Sequence, residues 1–187
     1  VSVAPSRIVY TIGYSGLSLS SFLRIMGELG TQLVADVRRF PRSRVPGFTS
    51  SELEAELARH GVEYRLFREL GALGMKYQAR FSCVKSPTFN AYVNYLVYDD
   101  KARLALSALV DEASRKRTVI LCRERSPRHC HRQFISDYLL CRGFRVIHVV
   151  GRDMHEHEPS SCYGFMEMAC RGNLSYRGTV SWLMTRG

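Results

Sequence analysis

The chain of 187 residues carries 27 lysines and arginines against 17 aspartates and glutamates, a net charge of +10, with 45% hydrophobic and 24% charged residues. That length suits one domain, expected to span 1–187, and the composition sets aside collagen-like, coiled-coil and low-complexity classes. No run of 18 apolar residues occurs, which excludes a membrane-spanning helix, and the basic balance favours nucleic acid or a phosphorylated small molecule as partner over a membrane.

The opening residues, VSVAPSRIVY, lack a basic segment followed by a long apolar run, so no secretory signal is expected and a cytoplasmic location is. Arg7 to Ile12 reads as a β-strand broken by Gly13, Ser15 and Gly16. Ser18 suits a helix cap, and Leu19, Phe22, Leu23, Met26 and Leu29 recur at helical spacing up to Gly30. Leu33 to Val37 is the next buried-type strand, which makes a β-α-β unit with parallel strands. Thr49 and Glu52 have capping-box spacing before a helix that stops at Gly61. Val62 to Leu66 reads as a short strand. The segments Phe89 to Val97 and Ala102 to Val110 read as one bent helical element, followed by Arg115, Lys116 and Arg117 near its C-terminal end.

Thr118 to Cys122 is a third apolar strand, a helix carries Phe134, Ile135, Tyr138 and Leu139 up to Gly143, and Arg145 to Val150 is a fourth. Strands near 7–12, 33–37, 117–122 and 145–150 alternating with helices predict an α/β fold: a three-layer domain with a mainly parallel central sheet. Residues 151–187 read as a less regular C-terminal extension packed on the core. Cysteines stand at 83, 122, 130, 141, 162 and 170 without a CxxC pair, so mostly free thiols are expected. Cys141 reads as core packing, and Cys162 with Cys170 is the one pairing considered.

Ligands of open parallel sheets bind beyond the C-terminal strand ends. Three polar segments, Gly13 to Ser15, Asp36 to Arg44 and Cys122 to Arg132, are expected to meet there. Asp36 is an acid in an apolar strand; it is either a general base, a metal ligand or the partner of Arg38. Arg38, Arg39, Arg42 and Arg44 form a cluster suited to phosphate, stiffened by Pro41 and Pro46, with Phe40 and Phe48 as stacking surfaces for a base or as core aromatics. In the second loop, Arg128 and Arg132 are further phosphate ligands, Glu124 is a candidate acid or base, and Cys130 and His131 stand near a helix start that lowers a thiol pKa. Cys122 and Arg128 are six apart, as in a phosphatase cradle, but the bulky residues between them fit it poorly. Cys122, Cys130 and His131 with a fourth ligand, and His155, His157 and Cys162, are loose ligand groups, but neither has compact zinc spacing and the adjacent Cys130 and His131 diverge on a helix, so neither metal nor cofactor is expected. His148 reads as a residue lining the sheet or touching a partner.

The segments YTIGYSG, LVADVRRFPRSR and LCRERSPRHCHR together resemble the DUF488 family of small α/β proteins. The resemblance implies Asp36, Arg38, Pro41, Ser43, Cys122, Glu124, Cys130, His131 and Arg132 as signature positions. It carries no activity with it. From the residues, the expected function is an enzyme acting on nucleic acid or a nucleotide. It is a hydrolase or base-excision enzyme, with Asp36 or Glu124 in preference to Cys130 as the reacting group. The alternatives are a non-catalytic nucleic-acid-binding protein and a thiol-dependent small-molecule enzyme built on Cys122 or Cys130 with His131.

Overall fold

The computed structural model describes residues 7–172. Its elements in chain order are β1 (Ile8–Gly13), α1 (Leu19–Glu28), β2 (Leu33–Asp36), α2 (Ser50–Arg59) and β3 (Glu63–Leu66), then α3 (Pro87–Tyr98), α4 (Asp100–Arg115), β4 (Thr118–Cys122), α5 (Arg132–Cys141), β5 (Arg145–Val150), β6 (Asp153–Glu156) and α6 (Tyr163–Cys170). The six strands form one sheet in the order β3-β2-β4-β1-β5-β6. Every pair is parallel except β5 with β6.

Successive side chains of a strand leave opposite faces of the sheet. Val9, Ala35, Ile120 and Val146 therefore join one core with α3 to α6, while Ile12, Val34, Leu121 and Val149 join a second core with α1 and α2. Both faces are covered, which is why these strands read as nearly unbroken apolar runs. The result is the expected three-layer α/β fold with a mainly parallel sheet.

The local signals act as their chemistry requires. Ser18 accepts from the Ser21 amide at the start of α1, and Thr49 and Glu52 close a reciprocal capping box on α2. Two expectations change. The bent helix is two helices, because Asp99 ends α3 and its carboxylate then caps α4 through the amides of Lys101 and Ala102. The 151–187 extension begins with strand β6 and helix α6, and its remainder from 173 lies outside the described residues.

The cysteine expectation is also corrected. Cys83 bonds Cys162, and Cys141 bonds Cys170, so both ends of α6 are tied to the body of the fold. Cys141 is thus a bridge residue and not only core packing. Cys162 and Cys170 cannot pair with each other, because a helix of about 1.5 Å rise per residue holds them apart at its two ends. Cys122 and Cys130 are free and buried. No helix among the described residues is long and apolar enough to cross a membrane.

Candidate functional site

The sheet order creates the crevice. β1 and β4 are neighbours, yet the chain leaves β1 for α1 on one face and leaves β4 for α5 on the other. The loops after two such strands part, and a cleft opens at their C-terminal ends. The two loops stay joined at their base, where Tyr14 N–H donates to Cys122 O (3.1 Å) and Ser15 N–H to Arg123 O (2.9 Å). Gly13 is required there, since a side chain at that position would collide with the Glu124 carbonyl.

A cavity of about 260 Å³ occupies this cleft. Its walls come from Tyr14, from Arg38 to Phe40 with Arg42, from Ala72 to Gly74, from Thr88 and Phe89, from Cys122 to Glu124, and from His129 to His131. Cys122, Cys130 and His131 lie at its buried base, whereas Glu124, Arg42, Arg123 and Phe40 are exposed. Cys130 follows a 3-10 turn (Pro127–His129) with extended φ and ψ of −130° and 144°, and His131 then turns helical as the N-cap of α5. This break lets the two neighbouring side chains face the same way, which a continuous helix would forbid.

The three groups form one cluster. His131 Nδ1 is 3.8 Å from Cys122 Sγ and 3.9 Å from Cys130 Sγ. His131 Nε2 lies 2.9 Å from the Val37 carbonyl. A carbonyl only accepts, so Nε2 carries a hydrogen; Cys130 Sγ faces Nδ1, and Cys122 Sγ lies beside both ring nitrogens, 4.0 Å from Nε2. Cys122 Sγ lies 3.3 Å from Glu124 Oε2. Burial opposes charge on Cys130, but hydrogen bonds from Cys122 and His131, with the charges of His131 and Arg132, outweigh it and hold that thiol well below its usual value. Its hydrogen bond to Cys130, then burial, push Cys122 well up. Burial also opposes the His131 cation, and the bond to Cys130 reverses that, leaving its pKa raised.

Other expected residues are engaged elsewhere. Asp36 is wholly buried, and its oxygens accept from Arg38 Nε (2.9 and 3.0 Å), Arg38 Nη2 (2.5 Å), the Arg38 amide (3.0 Å) and the Tyr64 hydroxyl (2.8 Å). It is the structural partner of Arg38 and does not line the cavity, which corrects its reading as a general base or metal ligand. Each side-chain nitrogen of Arg38 has a partner, Nη1 donating to Phe48 O at 2.7 Å, with the guanidinium over the Tyr14 ring. Burial works against its charge, yet the Asp36 bond and charge prevail and raise its pKa. Arg38 stands at the cavity wall with its charge already met by Asp36. Phe48 is buried and stacked on Tyr14 at 4.4 Å between centroids, with an edge of Phe22 beside it, so no ring face is left for a base.

Arg132 is also buried, not a cavity cation. Its Nη2 donates to the carbonyls of Glu124 (2.8 Å) and Arg125 (3.3 Å), pinning the loop, while Nε and Nη1 have no partner. Arg128 points away, 86% exposed, toward Glu158, and helps line a larger cavity of about 630 Å³ on the far side of the 3-10 turn. No phosphatase cradle closes over Cys122. Arg44 and Ser43 line a neighbouring cleft of about 550 Å³ that shares Arg42, Arg123 and Tyr14 with the main cavity. Arg39 and Phe40 remain at the cavity wall, with the Arg39 guanidinium 5.8 Å from the Phe40 ring.

His148 is part of a chain of buried polar groups. Asp137 holds His157 (2.9 Å), His157 holds His148 (2.9 Å), and His148 Nδ1 meets Thr11 Oγ1 (2.7 Å). Burial, then the positive neighbours His157 and Arg132, push the His148 pKa down to about 3.

Ala72, Leu73 and Gly74 were not legible as site residues, because a glycine-punctuated loop carries no periodicity, and neither was Thr88 in the first turn of α3. Cys122, Cys130 and His131 were legible as a loose group, but the backbone geometry that brings them together was not.

No curated protein and no solved structure matches the chain. Residues 18–139 match the family model described as domain of unknown function DUF488, a span that runs from the cap of α1 through the Asp36–Arg38 pair and the whole Cys122–Arg132 loop. The buried aspartate–arginine pair and the cysteine–histidine cluster thus fall inside the matched region, and the chain belongs to the DUF488 family.

Proposed function

We propose that the chain is an enzyme that hydrolyses a phosphoester or glycosidic bond of a nucleotide or nucleic-acid substrate held in the cleft between β1 and β4. The observation that carries this reading is Glu124, an exposed carboxylate on the wall of a cavity whose other exposed charges include Arg42 and Arg123. A carboxylate at the cavity wall is placed to take a proton from a water beside the substrate. The hydroxide so formed attacks the substrate, and protonated Glu124 returns its proton to the leaving group, which regenerates the carboxylate. Arg39, Arg42 and Arg123 hold phosphate, and Phe40, 49% exposed, offers a ring to a base. The cavity of about 260 Å³ falls just under the usual range for small-ligand pockets, roughly 300–1,000 Å³, which matches one nucleotide unit better than a duplex.

A thiol-dependent reaction is the second reading, favoured by His131 Nδ1 standing 3.9 Å from Cys130 Sγ. Single-turnover assays on labelled DNA, RNA and mononucleotides separate the two. Glu124→Gln is expected to lower the chemical rate by roughly 100-fold or more while substrate still binds. A wild-type rate in Glu124→Gln, with turnover abolished in Cys130→Ser, would replace the carboxylate reading by the thiol one. Saturable binding with no turnover of any substrate would leave a binding protein.

A further inference from the structure

The carboxylate reading leaves the two buried free thiols beside Glu124 without a task. Four of the six cysteines pair in bridges, and the remaining two sit together at the base of the cavity with one imidazole. Their donor atoms, two sulphurs and one ring nitrogen, all lie within 4.8 Å of one another.

We propose that Cys122, Cys130 and His131 form a three-ligand site for a zinc-class divalent ion, with a fourth position open to the cavity beside Glu124. The metal deepens the hydrolytic reading and rests on it for its chemistry, but the site itself rests on the donor geometry. With Zn–S near 2.3 Å and Zn–N near 2.0–2.1 Å, a tetrahedral ion sets its sulphur and nitrogen ligands about 3.6 Å apart. The two separations, 3.8 and 3.9 Å, come within a few tenths of an ångström of that edge; Cys122 Sγ also lies 4.0 Å from Nε2, so a turn of the imidazole, with no movement of the backbone, is what points Nδ1 between the two sulphurs. Nδ1 is nearly equidistant from the two sulphurs, as the third corner of such a site requires.

The second shell is of the kind that metal-binding histidines use. Nε2–H donates to the Val37 carbonyl at 2.9 Å, which fixes the tautomer and leaves Nδ1 as the ligand nitrogen. Two thiolates neutralise a dication, so the loaded site adds no net charge to a buried position where a bare ion would be costly. Closed structural zinc sites have four protein ligands. Here the described residues supply three in one cluster, and the next acidic group, Glu124 Oε2 at 3.3 Å from Cys122 Sγ, is on an exposed side chain at the cavity wall. The arrangement is that of an open site, in which a water on the ion becomes acidic near neutral pH and Glu124 accepts its proton.

The test uses the full chain, stripped with a chelator and then titrated with zinc, and separately with cobalt(II), with the cystine bridges left intact. One zinc per chain is expected. Cobalt should give thiolate charge-transfer absorption in the near ultraviolet and the intense visible bands of a tetrahedral ion. Zinc should also protect Cys122 and Cys130 from alkylation, read by peptide mass spectrometry. Cys122→Ser and Cys130→Ser should each weaken zinc binding by at least about 100-fold, the upper end of the loss from removing an outer-shell partner. Glu124→Gln should keep the metal and its spectrum. Weak octahedral cobalt bands in the wild type, or zinc held equally by the wild type and the Cys122→Ser/Cys130→Ser chain, overturns the site even if a serine variant folds poorly. Turnover by metal-free wild type would sink the metal alone. Normal metal binding with an unaltered rate in Glu124→Gln would sink the hydrolytic reading alone.

Discussion

Asp36 is the sharpest place to separate structure from catalysis. The Asp36→Asn change keeps the side-chain shape, removes the charge and sets an amide N–H₂ among donors. Four donor groups now converge on the carboxylate: the Nε and Nη2 of Arg38, its backbone amide and the Tyr64 hydroxyl. Arg38, only 6% exposed, would keep its charge and lose its only ionic partner. Breaking a buried pair from one side costs about 3–5 kcal/mol, because the surviving charge stays desolvated. At about 1.4 kcal/mol per power of ten, the unfolded fraction rises by roughly two to four orders of magnitude. Urea denaturation of the wild type, Asp36→Asn, Arg38→Met and the double variant gives the coupling directly. Each single change should cost about 3–5 kcal/mol, and the double no more than the worse single, since it leaves no unpaired charge buried. The reasoning fails if Asp36→Asn unfolds within about 1 kcal/mol of the wild type yet abolishes turnover, for then Asp36 acts on substrate.

Two further outcomes follow from the same geometry. His148 has its pKa depressed from 6.5 to about 3, so it is neutral in the fold, whereas the unfolded chain takes up a proton below pH 6.5. Stability is therefore level above about pH 6.5 and falls as pH drops toward 3, by about 2 kcal/mol at pH 5, and His148→Gln should flatten that limb in urea midpoints taken at pH 7 and 5; parallel slopes would contradict it. Arg39→Ala with Arg42→Ala should fold normally, weaken binding of single-stranded nucleic acid and lower the salt slope by roughly one to two units, whereas an unchanged slope removes this wall from the binding surface.

Much of the fold was legible because burial on both faces leaves a plain mark. IVYTIG, LVAD, TVILC and RVIHVV are apolar runs too short for helices and bounded by caps or glycines. Strand β6 was not legible, since DMHE is exposed along its length and is a strand only because β5 offers it an edge. The convergence of loops at the strand ends was readable from topology, but the fate of each polar group was not. Asp36 and Arg38, two apart, satisfy each other across a turn, and no spacing rule distinguishes that from an open catalytic pair. Cys130 and His131 looked divergent under helical geometry, and only the extended backbone at Cys130 brings both onto Cys122. The bridges 83–162 and 141–170 span 79 and 29 residues, separations that carry no pattern along the chain.

The sheet order also bears on how the chain is born. β1 lies between β4 and β5, so Val9 has no strand beside it until Thr118 and Val146 have been made. β2 is separated from β1 by β4, and in the N-terminal half it can pair only with the short edge strand β3. Vectorial synthesis at about 5–20 residues per second therefore leaves the first strand waiting for seconds with both edges unpaired. IVYTIG, which ends as the protected middle of the sheet, is meanwhile an exposed apolar ribbon on the ribosome. Chaperone contact should concentrate on that segment, and productive folding is a late event, triggered when β4 emerges to close the gap between β1 and β2.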